Sequence, residues 1–301
     1  MRAAAAPQIR RIVRFGLTSH DAGRLSRFYQ DALGFRQLSS TRVAGARFET
    51  LMQVRGGARC VTLALGGQTI EILEFDEPGR AYPGDSSPAD VIFQHFAVVV
   101  GSMNSACRRL AQTGDWTAIS TQGPQTLPPR SGGVTAFKFR DPDGHPLEFI
   151  EFPTGRIPER WRGAAAGSLF LGVDHSAISV GESRRSTDFY RSLGLTVTSQ
   201  TLNHGVEQQR LDGVAHARVE VISLAPNTPT PHLELLCYEN RPPRRVEWQA
   251  NDVPATRTLV ETVRGLDGSG EVDRPDGEDC ARLVLDPDGH RLQLLSNAPE
   301  A

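Results

Sequence analysis

Histidine and glutamate side chains lie at positions in this sequence where they could bind a metal ion or move a proton. The chain contains eight histidines, and two of them, His95 and His175, lie in mostly apolar runs. Glu148 and Glu234 are each flanked on both sides by large apolar residues. A carboxylate in such a run is costly to bury unless a cation meets it. Because imidazole and carboxylate together suit divalent ions of intermediate hardness, a metal site is one hypothesis for these side chains.

The alternation of residue types predicts the direction in which each histidine points. Successive side chains of a strand point to opposite faces. His95 would therefore share its face with Ala97 and lie opposite Phe96, and His175 would share its face with Ala177. Small neighbours leave room for a cavity, whereas the large apolar residues would pack beneath a helix. Both histidines are thus predicted to line a cavity.

Two internal repeats reveal the elements that would position these residues. Residues 28–35, FYQDALGF, are similar to residues 189–195, FYRSLGL. Residues 141–148 and 286–293 both begin with Asp-Pro-Asp-Gly-His, a sequence that favours a tight turn. The first motif opens each half of the chain and the second closes it, which indicates a duplicated architecture.

The repeats predict a first half at residues 1–155, a linker at 156–170 and a second half at 171–301. Each half divides again into two units, and each unit contains a strand, a helix and three further strands. In the first unit, Asp21 and Gly34 have the residue types that begin and end a helix.

The fourth unit has the least regular pattern of the four. There the sequence predicts a first strand at 244–250, a helix around 255–264 and a closing hairpin at 286–289.

Composition excludes several classes of protein. The chain has 301 residues, 39% of them hydrophobic, and a formal net charge of −2 from 33 basic and 35 acidic side chains. A nucleic-acid-binding protein usually has a basic excess, and no apolar run here is long enough to cross a membrane. None of the four cysteines forms a C-x-x-C pair. The composition therefore predicts a cytoplasmic protein that binds neither nucleic acid nor membrane.

Four tandem βαβββ units with the two repeated motifs resemble the vicinal oxygen chelate superfamily, which includes glyoxalase I, extradiol dioxygenases and bleomycin-resistance proteins. The resemblance covers nearly the whole chain. It implies an α+β fold in which the four units form two curved mixed-sheet cups, with two units in each cup. It also implies that metal ligands come from the first and last strands of each unit and point into the cup.

The resemblance assigns one first-strand and one last-strand position to each unit. In chain order these positions hold Arg14 and Glu71, His95 and Glu148, His175 and Glu234, and Arg245 and Gln293. If units paired within each half, each cup would hold one histidine and one arginine. If the second unit pairs with the third, one cup collects both histidines and two glutamates. We therefore predict this second pairing, with the metal ligands His95, Glu148, His175 and Glu234.

Two neutral imidazoles and two carboxylates would balance one divalent ion, which could be Ni²⁺, Zn²⁺, Co²⁺, Mn²⁺ or Fe²⁺. The resemblance implies that Glu148 or Glu234 is the catalytic base and removes a proton next to a carbonyl, as in an isomerase, epimerase or lyase. The expected partner is a small-molecule substrate with vicinal oxygens. Since four units complete two cups, the chain is expected to be a monomer or a homodimer.

Two other functions remain open from the sequence. An extradiol dioxygenase would use two histidines and one glutamate on Fe²⁺, and such enzymes typically carry a tyrosine on the strand before the ligand glutamate. The hairpin at 134–152 has no tyrosine, and Lys138 and Phe139 occupy its middle. A non-catalytic resistance protein would usually lack the ligand set. In the other cup, Arg14 and Arg245 could bind an anion or pair with Glu71.

Overall fold

The computed structural model describes residues 7–163, 167–226, 228, 231–239, 241, 243–262 and 281–296. Within these residues the chain forms sixteen strands and six α-helices. The first unit contains β1 (Ile9–Thr18), α1 (Ala22–Leu33), β2 (Arg36–Val43), α2 (Ala46–Met52), β3 (Ala58–Leu65) and β4 (Gln68–Phe75). The second unit contains β5 (Gln94–Val100), α3 (Met103–Ala111), β6 (Thr117–Ala118), β7 (Gln125–Thr126), a 3-10 helix (Pro129–Ser131), β8 (Thr135–Arg140) and β9 (Pro146–Glu151).

After the short helix α4 (Glu159–Arg162), the third unit repeats the order of the first. The third unit contains β10 (Phe170–Ser179), α5 (Ser183–Ser192), β11 (Thr196–His204), α6 (Val206–Asp212), β12 (Arg218–Ala225) and β13 (His232–Tyr238). The fourth unit contributes β14 (Arg257–Thr262), β15 (Ala281–Leu285) and β16 (Arg291–Ser296). Residues 1–6, 164–166 and 297–301, at the ends of the predicted halves and in the predicted linker, lie outside the described residues. The proposed domain boundaries stay a prediction.

The first helix shows why the repeated motif folds as it does. The Asp21 side chain accepts a hydrogen bond from the Arg24 N–H at 2.8 Å, which satisfies a free donor at the start of α1. Gly34 ends the helix in the left-handed region, with φ +73°. Between these caps, Phe28 and Tyr29 lie on the buried face of α1. The predicted start and end of this helix are confirmed.

The strands form two open mixed sheets that each combine both halves of the chain. One sheet has the order β15-β16-β14-β1-β4-β3-β2, and the other has the order β11-β12-β13-β10-β5-β9-β8-β6 with β7 beside β8. The antiparallel pairing of β5 with β10 joins the second unit to the third. The antiparallel pairing of β1 with β14 joins the first unit to the fourth. The predicted pairing across the halves and the α+β fold of two cups are confirmed.

The large apolar residues of the strands pack on the side away from the cups. Phe96 and Val98 belong to the main apolar core, together with residues of α1 and α3. Phe15 stacks on Phe96 with ring centroids 5.9 Å apart, so the two sheets share this core. None of the described helices has the length and apolar character needed to cross a membrane.

The prediction for the fourth unit is wrong in two places. Residues 243–249 form neither helix nor strand, and the strand is instead β14, inside the predicted helix at 255–264. Residues 263 and 264 of that predicted helix lie outside the described residues. Every residue of β14 is buried. A strand buried on both faces lacks the polar and apolar alternation that identifies strands in a sequence, so the pattern was misread.

Candidate metal centre

One cup brings His95, Glu148, His175 and Glu234 together. A common register produces this arrangement, because the residue two positions after each histidine pairs with the glutamate of the same unit. Ala97 pairs with Glu148 across β5 and β9, and Ala177 pairs with Glu234 across β10 and β13. The antiparallel pairing of β5 with β10 then places the two histidine rings 5.8 Å apart, centroid to centroid.

The ligand atoms converge most closely around Glu148. Its Oε2 lies 3.1 Å from His95 Nε2 and 3.5 Å from His175 Nε2. His95, Glu148 and His175 each offer a ligand atom within 4.8 Å of the other two. Glu234 lies slightly farther out, with its Oε2 3.6 Å from His175 Nε2.

Burial and unused bonding capacity favour a cation at this point. His95 is 2% exposed, His175 4% and Glu148 7%. Within the described residues, the buried His175 Nε2 has no hydrogen-bond partner, although two carboxylates lie near it. A buried ring nitrogen facing two carboxylates has the donor chemistry of a site for a divalent ion.

The charges of the cup act on the histidines in opposite directions. Burial lowers the pKa of His95, so this ring favours the neutral form that binds metals. Burial also lowers the pKa of His175, but Glu234, Asp174 and Glu148 raise it well above its ordinary value. The negative charges around His175 therefore attract either a proton or a metal ion.

Both glutamates are held in the ionised form. Burial alone raises the pKa of Glu148, but Lys138, His175 and His95 together lower it well below its ordinary value. Burial raises the pKa of Glu234 as well, and His175 and His232 outweigh that effect, so its pKa is about 2. Ionised carboxylates are the form that binds a metal ion.

Asp174 orients one histidine and was missed in the sequence. Its Oδ2 lies 3.1 Å from His175 Nδ1, which leaves Nε2 facing the cup. Asp174 Oδ1 accepts hydrogen bonds from Arg160 at 2.6 Å and from Trp161 Nε1 at 3.0 Å. Strict alternation would place Asp174 and His175 on opposite faces. A register shift between Val173 and His175 changes this local geometry, and such bulges leave no clear pattern in a sequence.

A buried lysine also lies near the glutamates. Lys138 is 4% exposed, and its position on β8 pairs with Glu148 on β9. Its Nζ donates a hydrogen bond to Asp212 Oδ1 at 2.7 Å. Asp212, the last residue of α6, is 1% exposed. The sequence analysis did not identify α6, so its buried acid was missed.

The second cup holds Arg14, Glu71, Arg257 and Gln293. The register is the same, since Gly16 pairs with Glu71 and Leu259 pairs with Gln293.

The first-strand position of the fourth unit therefore belongs to Arg257, and the assignment of Arg245 was wrong. Arg245 forms an ion pair with Asp288 at 2.5 Å instead. In the cup, Glu71 lies 3.5 Å from the Arg257 guanidinium and 3.8 Å from the Arg14 guanidinium.

Comparisons with known proteins agree with this architecture. The family model described as the Glyoxalase/Bleomycin resistance protein/Dioxygenase superfamily matches residues 11–149 and 172–294. No curated protein gives a significant match.

Two solved structures illustrate the likeness. Glyoxalase I from Zea mays is 15% identical with a TM-score of 0.61, and the alignment covers 95% of this chain and 92% of that chain. A protein from Bacillus subtilis strain 168, described as a candidate dioxygenase, is 15% identical with a TM-score of 0.58, over 98% of this chain and 87% of that chain. At such identities these likenesses show the fold alone.

Proposed function

The chain belongs to the Glyoxalase/Bleomycin resistance protein/Dioxygenase superfamily, and from this premise we propose that it is a divalent-metal-dependent enzyme. The proposed reaction is the removal of a proton next to a carbonyl on a small substrate with vicinal oxygens, as in an isomerase, epimerase or lyase. The proposed ligands are His95, Glu148, His175 and Glu234. A bound divalent ion would stabilise the negative charge that develops on the substrate oxygens.

The observation that carries this proposal is the convergence of His95, Glu148 and His175 in a buried cup. Their ligand atoms lie within 4.8 Å of one another, and His175 Nε2 has no hydrogen-bond partner in the described part of the chain. An ion at this point would satisfy the orphaned nitrogen and the neighbouring carboxylates together.

The two glutamates differ in a way that favours Glu234 as the base. The Glu148 side chain is 9% exposed and contacts both histidines, whereas the Glu234 side chain is 20% exposed. Glu234 Oε1 accepts a hydrogen bond from Ser223 at 3.1 Å, and His232 Nε2 lies 3.4 Å from it. A proton acceptor must reach the substrate, so the more accessible carboxylate suits that role. Glu148 is proposed as the fixed ligand.

A second candidate function is extradiol ring cleavage. The close cluster of two histidines and one glutamate, with Glu234 farther out, is the ligand type of non-haem Fe²⁺ oxygenases. Against it, β8 contains no tyrosine, whereas such enzymes typically carry one on the strand before the ligand glutamate.

The two candidates differ in a direct test. Protein loaded with Ni²⁺, Zn²⁺, Co²⁺, Mn²⁺ or Fe²⁺ would be incubated in D₂O with a panel of small 2-hydroxycarbonyl and 2-oxo compounds, and exchange followed by proton NMR. We expect metal-dependent exchange of the proton next to the carbonyl, and loss of exchange in Glu234→Gln. Oxygen consumption with catechols and Fe²⁺, without exchange, would instead support ring cleavage.

A further inference from the structure

A buried polar network lies next to the candidate metal centre, and none of its members belongs to the proposed ligand set or is the proposed base. Lys138 Nζ donates to Asp212 Oδ1 at 2.7 Å. Gln208 Nε2 and the Tyr238 hydroxyl donate to Asp212 Oδ2 at 2.7 and 2.8 Å. We call these four residues the Lys138 network. Gln208 is 4% exposed and Tyr238 8% exposed, so the whole network is shielded from solvent.

The second cup has apolar residues at the four equivalent positions. Lys138 pairs with Glu148 on the neighbouring strand, and Leu283 pairs with Gln293 in the same way. The helices α6 and α2 each have seven residues and follow a glycine, so Asp212 corresponds to Met52 and Gln208 to Phe48. The last residues of β13 and β4 make Tyr238 correspond to Phe75.

These apolar counterparts pack together where the polar network would be. Phe48, Met52 and Phe75 belong to one apolar cluster, and Leu283 packs against it. The rings of Phe48 and Phe75 stack with centroids 5.9 Å apart.

The second cup therefore shows that the same fold accommodates four apolar residues at the positions of the Lys138 network. Taking two charges out of water costs several kcal/mol per ion, and replacing a buried pair with apolar residues is often neutral or stabilising. Packing alone therefore does not explain why a lysine and an aspartate are buried here. A role for this pair in the function of the cup would explain it.

The lysine retains capacity to bind something else. An ammonium group has three N–H donors. Within the described part of the chain, Lys138 Nζ donates a hydrogen bond to one acceptor, Asp212 Oδ1. Lys138 lies directly across from Glu148 in the antiparallel pair β8 and β9, so it projects into the same cup. Asp212 accepts one of the three N–H bonds of the ammonium, which leaves two donors for another acceptor.

We propose that Lys138 binds an anionic oxygen of the substrate beside the metal centre and that Asp212, Gln208 and Tyr238 position its ammonium group. This proposal rests on the proposed function. It specifies the substrate class as a small carboxylate with a second oxygen on the adjacent carbon, as in 2-oxo and 2-hydroxy acids. His95, Glu148, His175 and Glu234 would hold a divalent ion that could bind the vicinal oxygens, and Lys138 would pair with the remaining carboxylate oxygen of the substrate.

Oxalate is a suitable probe, because it is a small dianion with carboxylate oxygens on adjacent carbons. Its affinity for Mn²⁺-loaded protein would be measured by calorimetry in the wild type and in Lys138→Leu/Asp212→Met, which copies the apolar pair of the second cup. The double change removes both charges of the pair, and its cost is limited to the donors of Gln208 and Tyr238 that lose Asp212 as their acceptor. We therefore expect the variant to fold and to bind Mn²⁺. We expect its oxalate dissociation constant to rise about 10- to 100-fold, from the loss of a charge-assisted hydrogen bond.

Two controls accompany this measurement. Lys138→Arg keeps the charge and should recover part of the oxalate affinity, which a merely structural role would not produce. Leu283→Met changes the equivalent position of the second cup and should leave oxalate affinity unchanged.

The outcomes distinguish the proposed role of Lys138 from the proposed function on which it rests. Unchanged oxalate affinity in a folded, Mn²⁺-binding double variant would overturn the role of Lys138 alone. Failure of the double variant to fold, seen by circular dichroism, would contradict the premise that apolar residues can replace the pair. A wild-type protein that binds no Mn²⁺ or other divalent ion would overturn the proposed function and this inference with it.

Discussion

The two cups of this protein have the same backbone register but neutralise their buried carboxylates in different ways. In the cup of the second and third units, Glu148 and Glu234 face the imidazoles of His95, His175 and His232. In the cup of the first and fourth units, Glu71 faces two guanidinium groups. A guanidinium is a permanent cation, whereas a neutral imidazole supplies a lone pair. The first of these cups also holds the Lys138 ammonium, but its imidazoles offer nitrogens that can bind a cation from solution, whereas the guanidinium groups of the other cup cannot bind one.

Neighbouring residues reinforce this difference. Arg257 is fully buried, and a Cβ placed on Gly16 would lie 2.9 Å from its Nε and Nη2. The residues in register with Gly16 in the other cup are Ala97 and Ala177. The absence of a side chain at Gly16 thus makes room for the guanidinium. The comparison indicates that the residues around Glu71 in the second cup accommodate an arginine side chain as the cation.

The largest effect that would test this comparison is the loss of metal binding on removing an imidazole. We expect His95→Ala and His175→Ala each to weaken binding of a divalent ion by more than about 100-fold, since changes even beyond the ligands cost about 10- to 100-fold. Arg245→Ala, which removes a half-exposed arginine that pairs with Asp288 outside both cups, should leave binding unchanged. Isothermal titration with Zn²⁺ measures all three. Retention of affinity by both histidine variants would show that the ion does not bind between the halves.

The next effect concerns the stability of the second cup. Arg257→Ala would leave Glu71, which is 0% exposed, without the nearer of the two arginines beside it in the described part of the chain. Removing one partner of a buried ion pair costs about 3–5 kcal/mol of unfolding free energy. Urea denaturation of wild type and variant gives this difference, and the content of bound metal should not change. A loss of metal from Arg257→Ala would contradict the assignment of the ion to the other cup.

A moderate effect on metal affinity is expected from a change in Asp174, whose carboxylate contacts the His175 ring. Asp174→Asn should weaken metal binding about 10- to 100-fold without changing the stoichiometry, because the amide orients the His175 ring less well. Asp76→Asn is the matched control, since Asp76 pairs with Arg42 at 2.6 Å on the surface. Equal metal affinity in the two variants would mean that the contact of Asp174 with His175 has no effect on the centre.

The smallest effect is at the glycine that accommodates Arg257. Gly16→Ala should lower the free energy of unfolding by about 1 kcal/mol, because the added methyl overpacks a buried guanidinium. A Cβ at Gly84 meets nothing within 4 Å, so Gly84→Ala is the control and should be nearly neutral. Thermal denaturation distinguishes the two. Equal stability would indicate that the second cup has more free space than the contacts of Gly16 suggest.

Repetition and alternation made most of the fold predictable from the sequence. Asp21 and Gly34 carry local helix signals, and the two Asp-Pro-Asp-Gly turns mark the ends of the halves. The pairing of the second unit with the third followed from sorting histidines and arginines between the cups, and the pairing of β5 with β10 confirms it. Local chemistry was enough for the helix caps and the turns because each of these signals lies within one element.

The missed residues depend on tertiary context. Arg257 lies on a strand buried on both faces, so its period of two is hidden. Asp174 acts through a register shift that no sequence pattern marks. Asp212 meets Lys138 across 74 positions of sequence, and neither residue indicates the other. Such pairs are defined by packing between units, which a single sequence does not encode locally.

Anomalous diffraction from crystals grown with Zn²⁺ would test the central claim most directly, because it locates the ion in each cup independently of any substrate. The account predicts one strong peak for each chain, about 2.0–2.1 Å from a ring nitrogen of His95 and of His175 and within reach of Glu148 and Glu234. The second cup should show no peak. A peak beside Glu71 and Gln293, or the absence of any peak between the two histidines, would contradict it.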